Sequence, residues 1–188
     1  MENGQGHEEK MKLAYSIPNK LWWIHDFLDK DMRKGMHHAI IRQRKKINLH
    51  SVEEDWTKNL YNNLEFAKRV EVDNYPPFEK LKTLIRHNIY CNFSEIKHVS
   101  TIIHFMTKNS GINWHNDGGA WKYGATYYLN NRWHRQWGGE FMFTDNDGHG
   151  WIPPVGNSLV IIKAPLEHKV NPILSPIIPR ISIQIFMK

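Results

Sequence analysis

Two hydrophobic periods divide the chain. Met32, Met36, Ala39 and Ile40 recur at three- and four-residue steps, which predicts a helix from Asp29, a candidate N-cap, to about Arg44. Ser51-Val52-Glu53-Glu54 matches a capping box, and Trp56, Leu60 and Leu64 behind it mark the face of a second helix. Tyr75-Pro76-Pro77 breaks that segment. Pro77 suits the first turn of a third helix, where a missing N–H costs nothing, and Phe78, Leu81, Leu84, Ile85 and Ile89 line its stripe. Ahead of these, Leu13 to Pro18 reads as a short edge strand, and Leu21 to Leu28 fits either strand or helix. All three stripes are core-facing packing surfaces.

After Asn92 the period becomes extended. Glu95 to Thr107 is rich in β-branched residues, and further strands are expected over Asn113–Asp117, Gly124–Asn130, Gly139–Thr144, Ser158–Ala164 and Arg180–Met187. Gly118-Gly119, Asn130-Asn131, Asn146-Asp147-Gly148, Pro153-Pro154 and Gly156-Asn157 supply the turns between them. The expected architecture is mainly β with flanking helices: a jelly roll over 95–188, with an α-helical N-terminal half, 13–94, packed on its major sheet.

Length and composition narrow the setting. With 188 residues the chain suits one domain, 13–188, behind a flexible polar tail over 1–12. Its 8 Trp, 7 Tyr and 8 Phe exclude intrinsic disorder. No apolar run approaches the roughly 20 residues of a membrane span, and the N-terminus has no apolar signal core. Cys91 stands alone, so an internal disulfide is excluded. The expectation is a cytoplasmic monomer with no membrane partner. The net charge of +6 permits attraction to nucleic acid. The densest basic run, Arg42-Gln43-Arg44-Lys45-Lys46, reads instead as a solvated helix end, where exposed carbonyls favour cations.

Candidate chemistry gathers late in the chain. On a strand, His115 and Asp117 of His115-Asn116-Asp117 point the same way. His168 adds a second imidazole, and Arg180 opens the last strand. Two His and one carboxylate leave half a coordination sphere open, which suits non-haem Fe(II), although zinc accepts the same donors. His104 lies mid-strand and is left unassigned.

Taken with the text around them, these residues resemble the Fe(II)/2-oxoglutarate-dependent oxygenases, and within them the prolyl 4-hydroxylase-like branch. The resemblance covers about residues 95–188. It rests on Trp114-His115-Asn116-Asp117, Ala125-Thr126-Tyr127-Tyr128-Leu129-Asn130, Trp137-Gly138-Gly139-Glu140-Phe141, Gly156-Asn157-Ser158-Leu159-Val160, Glu167-His168-Lys169-Val170 and Arg180-Ile181-Ser182-Ile183. It implies a double-stranded β-helix in which His115, Asp117 and His168 hold Fe(II). Arg180 then anchors the far carboxylate of 2-oxoglutarate, a task its planar fork suits, with Ser182 and Tyr128 beside it. The implied activity is hydroxylation of a C–H bond, in a proline of a protein or peptide, using O2, with ascorbate as a candidate accessory reductant.

Two departures from the family pattern stand out. The interval from His168 to Arg180 is long and carries Pro172, Pro176 and Pro179, read as a rigid insertion bearing on the cosubstrate pocket. His104-Phe105 stands where some relatives place a tyrosine. Substrate recognition is expected from the N-terminal half and loops 118–124, 131–137 and 145–154, with Trp121 and Trp133 as candidate contacts. Two other functions fit less well: a nucleic-acid demethylase of the same superfamily, and a non-catalytic cupin-like metal-binding module, which would have no use for a cation at position 180.

Overall fold

The computed structural model describes residues 11–44, 50–51, 61–62, 67–71, 76–88, 90–91, 93, 95–119, 121–146 and 148–188. Among them lie thirteen strands and two helices. The first half holds β1 (Lys12–Ile17), β2 (Leu21–His25), α1 (Lys30–Arg44), β3 (His50–Ser51), β4 (Tyr61–Asn62), β5 (Ala67–Glu71) and α2 (Pro76–Arg86). The second holds β6 (Val99–Met106), β7 (Gly111–His115), β8 (Tyr123–Tyr128), β9 (Phe141–Asp145), β10 (Gly148–Ile152), β11 (Leu159–Lys163), β12 (Glu167–Val170) and β13 (Arg180–Met187). No helix among the described residues is long and apolar enough to cross a membrane.

The strands form an eight-stranded sheet, ordered β1-β2-β11-β8-β13-β6-β5-β3, and a five-stranded sheet, ordered β10-β9-β12-β7-β4. Two cores explain why they stack. Ile183, Ile185 and Met187 of β13 point to one side of the large sheet and pack with Phe78, Leu81 and Ile85 of α2 and Met36 and Ile40 of α1. On the other side, Tyr128, Val160 and Ile162 meet Phe141, Phe143 and Ile152 of the small sheet. With both faces of the large sheet covered, its central strands carry apolar residues at nearly every position. The side facing the small sheet carries the buried polar groups His104, Thr126, Arg180 and Ser182.

Local signals account for the helices. Asp29 Oδ1 accepts from the amides of Asp31 and Met32 at 2.9 and 2.8 Å, closing the N-terminus of α1. Phe78, Leu81 and Ile85 of α2 are fully buried, as one apolar stripe requires. The insertion over 171–179 is pinned at Ile173, whose amide donates to Ser110 O at 2.8 Å and which bridges to Gly138.

An α-helical N-terminal half does not form. Only α1 and α2 are helical among its described residues, while β1 and β2 extend one edge of the large sheet and β5 and β3 the other. Ser51, expected to cap a helix, pairs with Lys68, and Tyr61 pairs with Ile112 of β7. In the described segments the backbone groups of β4 and β5 are taken up by the edges of β7 and β6, a pairing that local spacing does not contain. Residues 52–60 and 63–66, with most of that expected helix, lie outside the described residues, as do Ile89 and tail residues 1–10.

Candidate metal centre

Strand pairing brings the two imidazoles together. His168 of β12 sits opposite His115 of β7 in the antiparallel register, and their ring centroids are 4.2 Å apart. Asp117 follows two residues after β7. Its Oδ1 lies 3.8 Å from His115 Nε2 and its Oδ2 lies 3.7 Å from His168 Nε2. Such distances are too long for hydrogen bonds, and they fall within the ~4 Å that two donors each about 2.1 Å from one ion can span. One donor atom from each of the three residues falls within 4.8 Å of the others.

Backbone carbonyls orient both rings. His115 Nδ1 donates to Asn113 O at 2.8 Å and His168 Nδ1 to Leu166 O at 3.0 Å. In this tautomer each Nε2 lone pair faces the Asp117 carboxylate, the arrangement a metal ligand needs. The Phe141 ring stacks on His168 at 5.2 Å and holds it from behind. Burial, and then the neighbouring His115, push the pKa of His168 down from 6.5 to about 4, so it is neutral at physiological pH.

That depression has a sign. The unfolded chain takes up a proton near pH 6.5 that the folded, metal-free protein refuses until about pH 4. Unfolding is therefore favoured progressively as pH falls across this window. The thermal midpoint of metal-free protein is expected to drop between pH 6.5 and 4, and the drop to shrink in His168→Gln. A wild-type profile identical to the variant's would contradict the assignment.

The carboxylate is seated by an absence. Gly124, on β8 of the opposite sheet, faces Asp117 so closely that a Cβ there would stand 2.5 Å from Oδ2. Gly124→Ala is expected to displace the carboxylate and weaken divalent-metal affinity by about 10- to 100-fold, comparable to losing an outer-shell partner. Titration with Fe(II) or Mn(II) under anaerobic conditions measures it, and unchanged affinity would show that Asp117 does not need the space.

The triad opens onto a cavity of about 440 Å³ between the sheets. Ile112, Val170 and Phe141 line the metal side, and Ile102, His104, Thr126 and Gln184 line the other. A polar chain runs along this second wall. Thr126 Oγ1 donates to Gln184 Oε1 at 2.7 Å, Gln184 Nε2 reaches Ser182 Oγ at 3.5 Å, and Arg180 Nη1 donates to the same Ser182 oxygen at 3.2 Å. Arg180, Ser182 and Gln184 alternate along β13 onto one face, so this strand carries polar groups from the cavity wall inward.

Arg180 has no solvent exposure. Its guanidinium stands 4.9 Å over the Tyr128 ring, and Nη1 also meets Met106 Sδ, a weak acceptor, at 3.3 Å. Among the described residues Nε and Nη2 have no hydrogen-bond partner, nor has the Tyr128 hydroxyl, and no carboxylate forms an ion pair with Arg180. A buried cation left this way costs several kcal/mol unless an anion compensates it. Burial raises the Tyr128 pKa, so its hydroxyl is a neutral donor. Free guanidinium and phenol donors beside one another match a carboxylate, and the neutral Nε2/carboxylate set matches a divalent ion. The residues present thus fit both groups.

Gly139 completes the cradle. It has φ +76°, and a Cβ there would meet Ile173 Cδ1 at 2.6 Å and Arg180 Cδ at 3.1 Å. The 171–179 insertion therefore touches the guanidinium's seat through Ile173. Of the two tryptophans singled out in the sequence, Trp121 lines the cavity beside Phe186, at 5.5 Å between centroids. Trp133 does not line it: its indole donates to Gly138 O at 2.8 Å and packs edge-on against Trp137. His104 proves to be a wall residue. The pairing of Thr126 with Gln184 and the clearance at Gly124 were not anticipated, although alternation from Arg180 points to Gln184.

Residues 101–188 match the model of the 2OG-Fe(II) oxygenase superfamily. The triad and Arg180 both fall inside the matched residues, and that family implies Fe(II), 2-oxoglutarate and O2; ascorbate is not part of that implication. No curated protein sequence matches the chain. Among solved structures, the chain is similar to a Pseudomonas putida prolyl-4-hydroxylase, with TM-score 0.70 and 16% identity over 91% of this chain and 93% of that one. It is also similar to a Trichoplax adhaerens prolyl hydroxylase in complex with a hypoxia inducible factor peptide fragment, with TM-score 0.73 and 15% identity over 90% and 84% of the two chains. A viral collagen prolyl hydroxylase from Paramecium Bursaria Chlorella virus-1 follows, with TM-score 0.64 and 11% identity over 90% and 96%. At these identities the likeness is one of fold.

Proposed function

We propose that the chain is a Fe(II)- and 2-oxoglutarate-dependent dioxygenase that hydroxylates a C–H bond of a peptidyl proline. The observation that carries this reading is the combination of a His-Asp-His donor group lining one cavity and a buried guanidinium without a carboxylate, joined to that cavity's wall through Ser182 and Gln184. When bound, Fe(II) with 2-oxoglutarate and O2 supplies the oxidising power for an unactivated C–H, and the diacid leaves as succinate and carbon dioxide.

The chain's own residues do the holding and the shielding. His115, Asp117 and His168 bind the ion, with one negative charge among three ligands so that the site stays attractive to an anionic cosubstrate. Arg180 grips the far carboxylate through Nε and Nη2. Ser182 holds Nη1 and so sets the plane of the guanidinium, and the Tyr128 hydroxyl donates to the same carboxylate. Ile102, Ile112 and Val170 exclude water, which strengthens each of these contacts. Trp121, which lines the cavity, is the proposed substrate contact.

The case for proline rests on the fold shared with three prolyl hydroxylases, one of them described with a peptide bound. The deciding experiment measures succinate with and without proline-containing peptides, and peptide mass after the reaction. A peptide-stimulated rate with gain of one oxygen on proline supports the reading. Turnover of 2-oxoglutarate that no such peptide stimulates would leave the oxygenase and remove proline as its target.

A further inference from the structure

A second cavity, of about 520 Å³, lies away from the metal centre, between α1 and the segments that carry Asn131 and Asn157. Its lining from α1 is Lys30, Arg33, Lys34, His37 and His38. These five occupy steps of three, one, three and one residues, so they form one stripe of the helix, opposite the Met32, Met36 and Ile40 side that enters the core. Like charges at such spacing weaken a helix, so the stripe is maintained against its own repulsion.

Nothing in the groove offsets the charge. No carboxylate lines it, and Lys30, Arg33 and Lys34 make no ion pair among the described residues. Asp29, at the head of α1, is engaged with the amides of Asp31 and Met32. Arg33 is held in place: its Nη2 donates to Asn131 Oδ1, while its Nε is shielded from solvent and has no partner. Beneath it, Asn157 is committed to Leu28 and Tyr127. His37 is tied back, its Nε2 donating to Leu129 O at 3.0 Å, which leaves a positioned guanidinium with a spare donor, two ammonium groups and His38 as a receptor for anionic oxygens.

The positive surface continues past the groove. Asn131 opens the loop that carries exposed Arg132 and Arg135 and the Trp133–Trp137 pair. A single small anion needs one or two of these cations; an extended row suits a polymer with a charge at each repeat. Aromatic rings interleaved with cations add a use for bases, which an acidic polypeptide lacks. We propose that the α1 groove binds the phosphates of a single-stranded nucleic acid, at a site separate from the catalytic cavity. Contacts of this kind neutralise phosphates and release counterions, so affinity falls steeply with salt.

The test is fluorescence anisotropy of a labelled oligothymidylate with the full chain, at salt concentrations spanning about 50 to 200 mM, the range over which such contacts weaken most visibly. Lys30 and Lys34 are exposed, so Lys30→Glu/Lys34→Glu is expected to fold normally, with an unchanged thermal midpoint and unchanged 2-oxoglutarate turnover. It should weaken binding at least tenfold and lower the salt slope by about two, one for each lost cation. Lys97→Glu/Lys163→Glu, which makes the same change of net charge elsewhere, should retain most of the affinity. Arg33→Gln, which keeps a donor, should lose affinity without altering the fold. Equal loss in both double variants would reduce the effect to net charge and overturn the proposal. So would absence of salt-dependent binding, or polyglutamate displacing the oligonucleotide at equal charge concentration, the result expected of an acidic-protein surface.

Discussion

Asp117→Ala is expected to bring succinate formation to background, a loss of more than about a hundredfold. That exceeds the 10- to 100-fold typical of losing an outer-shell partner, because here a ligand itself is removed. Asp117 is the only anion among the three donors, and it lies 3.8 and 3.7 Å from the Nε2 atoms of His115 and His168. Without it, two imidazoles face one another at 4.2 Å between centroids, a poor site for a hard divalent ion. Asp117→Asn separates charge from shape: it fills the space against Gly124 yet removes the negative charge, and it should lose nearly as much. Fe(II) affinity measured anaerobically must fall in parallel with turnover, while the thermal midpoint of metal-free protein stays close to wild type. Substantial turnover in either variant would mean that another group completes the centre.

The second large effect has opposite signs in stability and in function. Arg180 is fully buried, with Nε and Nη2 unpartnered, and so burdens the protein that lacks cosubstrate. Arg180→Met keeps the volume and removes the charge. The metal-free, cosubstrate-free variant should be more stable, by an amount in the ~1–4 kcal/mol range seen when apolar groups replace buried ionic ones. Its KM for 2-oxoglutarate should rise by roughly 30-fold to several-thousand-fold, the equivalent of about 2–5 kcal/mol for a buried charge-assisted pair. Chemical denaturation of the metal-free protein and initial rates at saturating Fe(II) provide the two readings. Lower stability together with an unchanged KM would make Arg180 a structural residue and remove the anchor from the proposed site.

This pairing of effects explains why a polar chain threads an otherwise apolar wall. Thr126, Gln184 and Ser182 hand hydrogen bonds along the large sheet to the one guanidinium donor that is satisfied, leaving two donors aimed at nothing in the protein. Ser182 thereby works on the orientation of Arg180 as well as on any ligand. The 171–179 insertion acts on the same point, since Ile173 closes over Gly139 and Gly139 abuts Arg180.

Much of this was legible along the chain. Asp29 announced α1, Phe78, Leu81 and Ile85 announced α2, and Arg180–Met187 was readable as a strand from the polar-apolar alternation of Arg180 to Ile185. His115 and Asp117 are two apart, so their shared direction follows from the pleat alone. Other features lacked a local signature. β12 has four residues, Glu167–Val170, too few to display a period, so His168 was noticed for its chemistry before its strand. The expected helix marked by Trp56, Leu60 and Leu64 lies mostly outside the described residues, while β4 and β5 pair with the edges of β7 and β6 and β3 pairs with β5. That Trp133 does not line the metal cavity is likewise a matter of tertiary structure, its indole being tied to the Gly138 carbonyl.

The sequence by itself determined which side chains were available for chemistry and which way neighbours on one strand point, because those depend on residue type and on a repeat of two. Only the tertiary structure decided that His168 stands opposite His115, that Gly124 leaves room for Asp117, and that Arg180 is enclosed without a counterion. Each of these depends on register between strands far apart in the chain. Register is set by the summed burial of whole sheet faces, which no short stretch of residues contains.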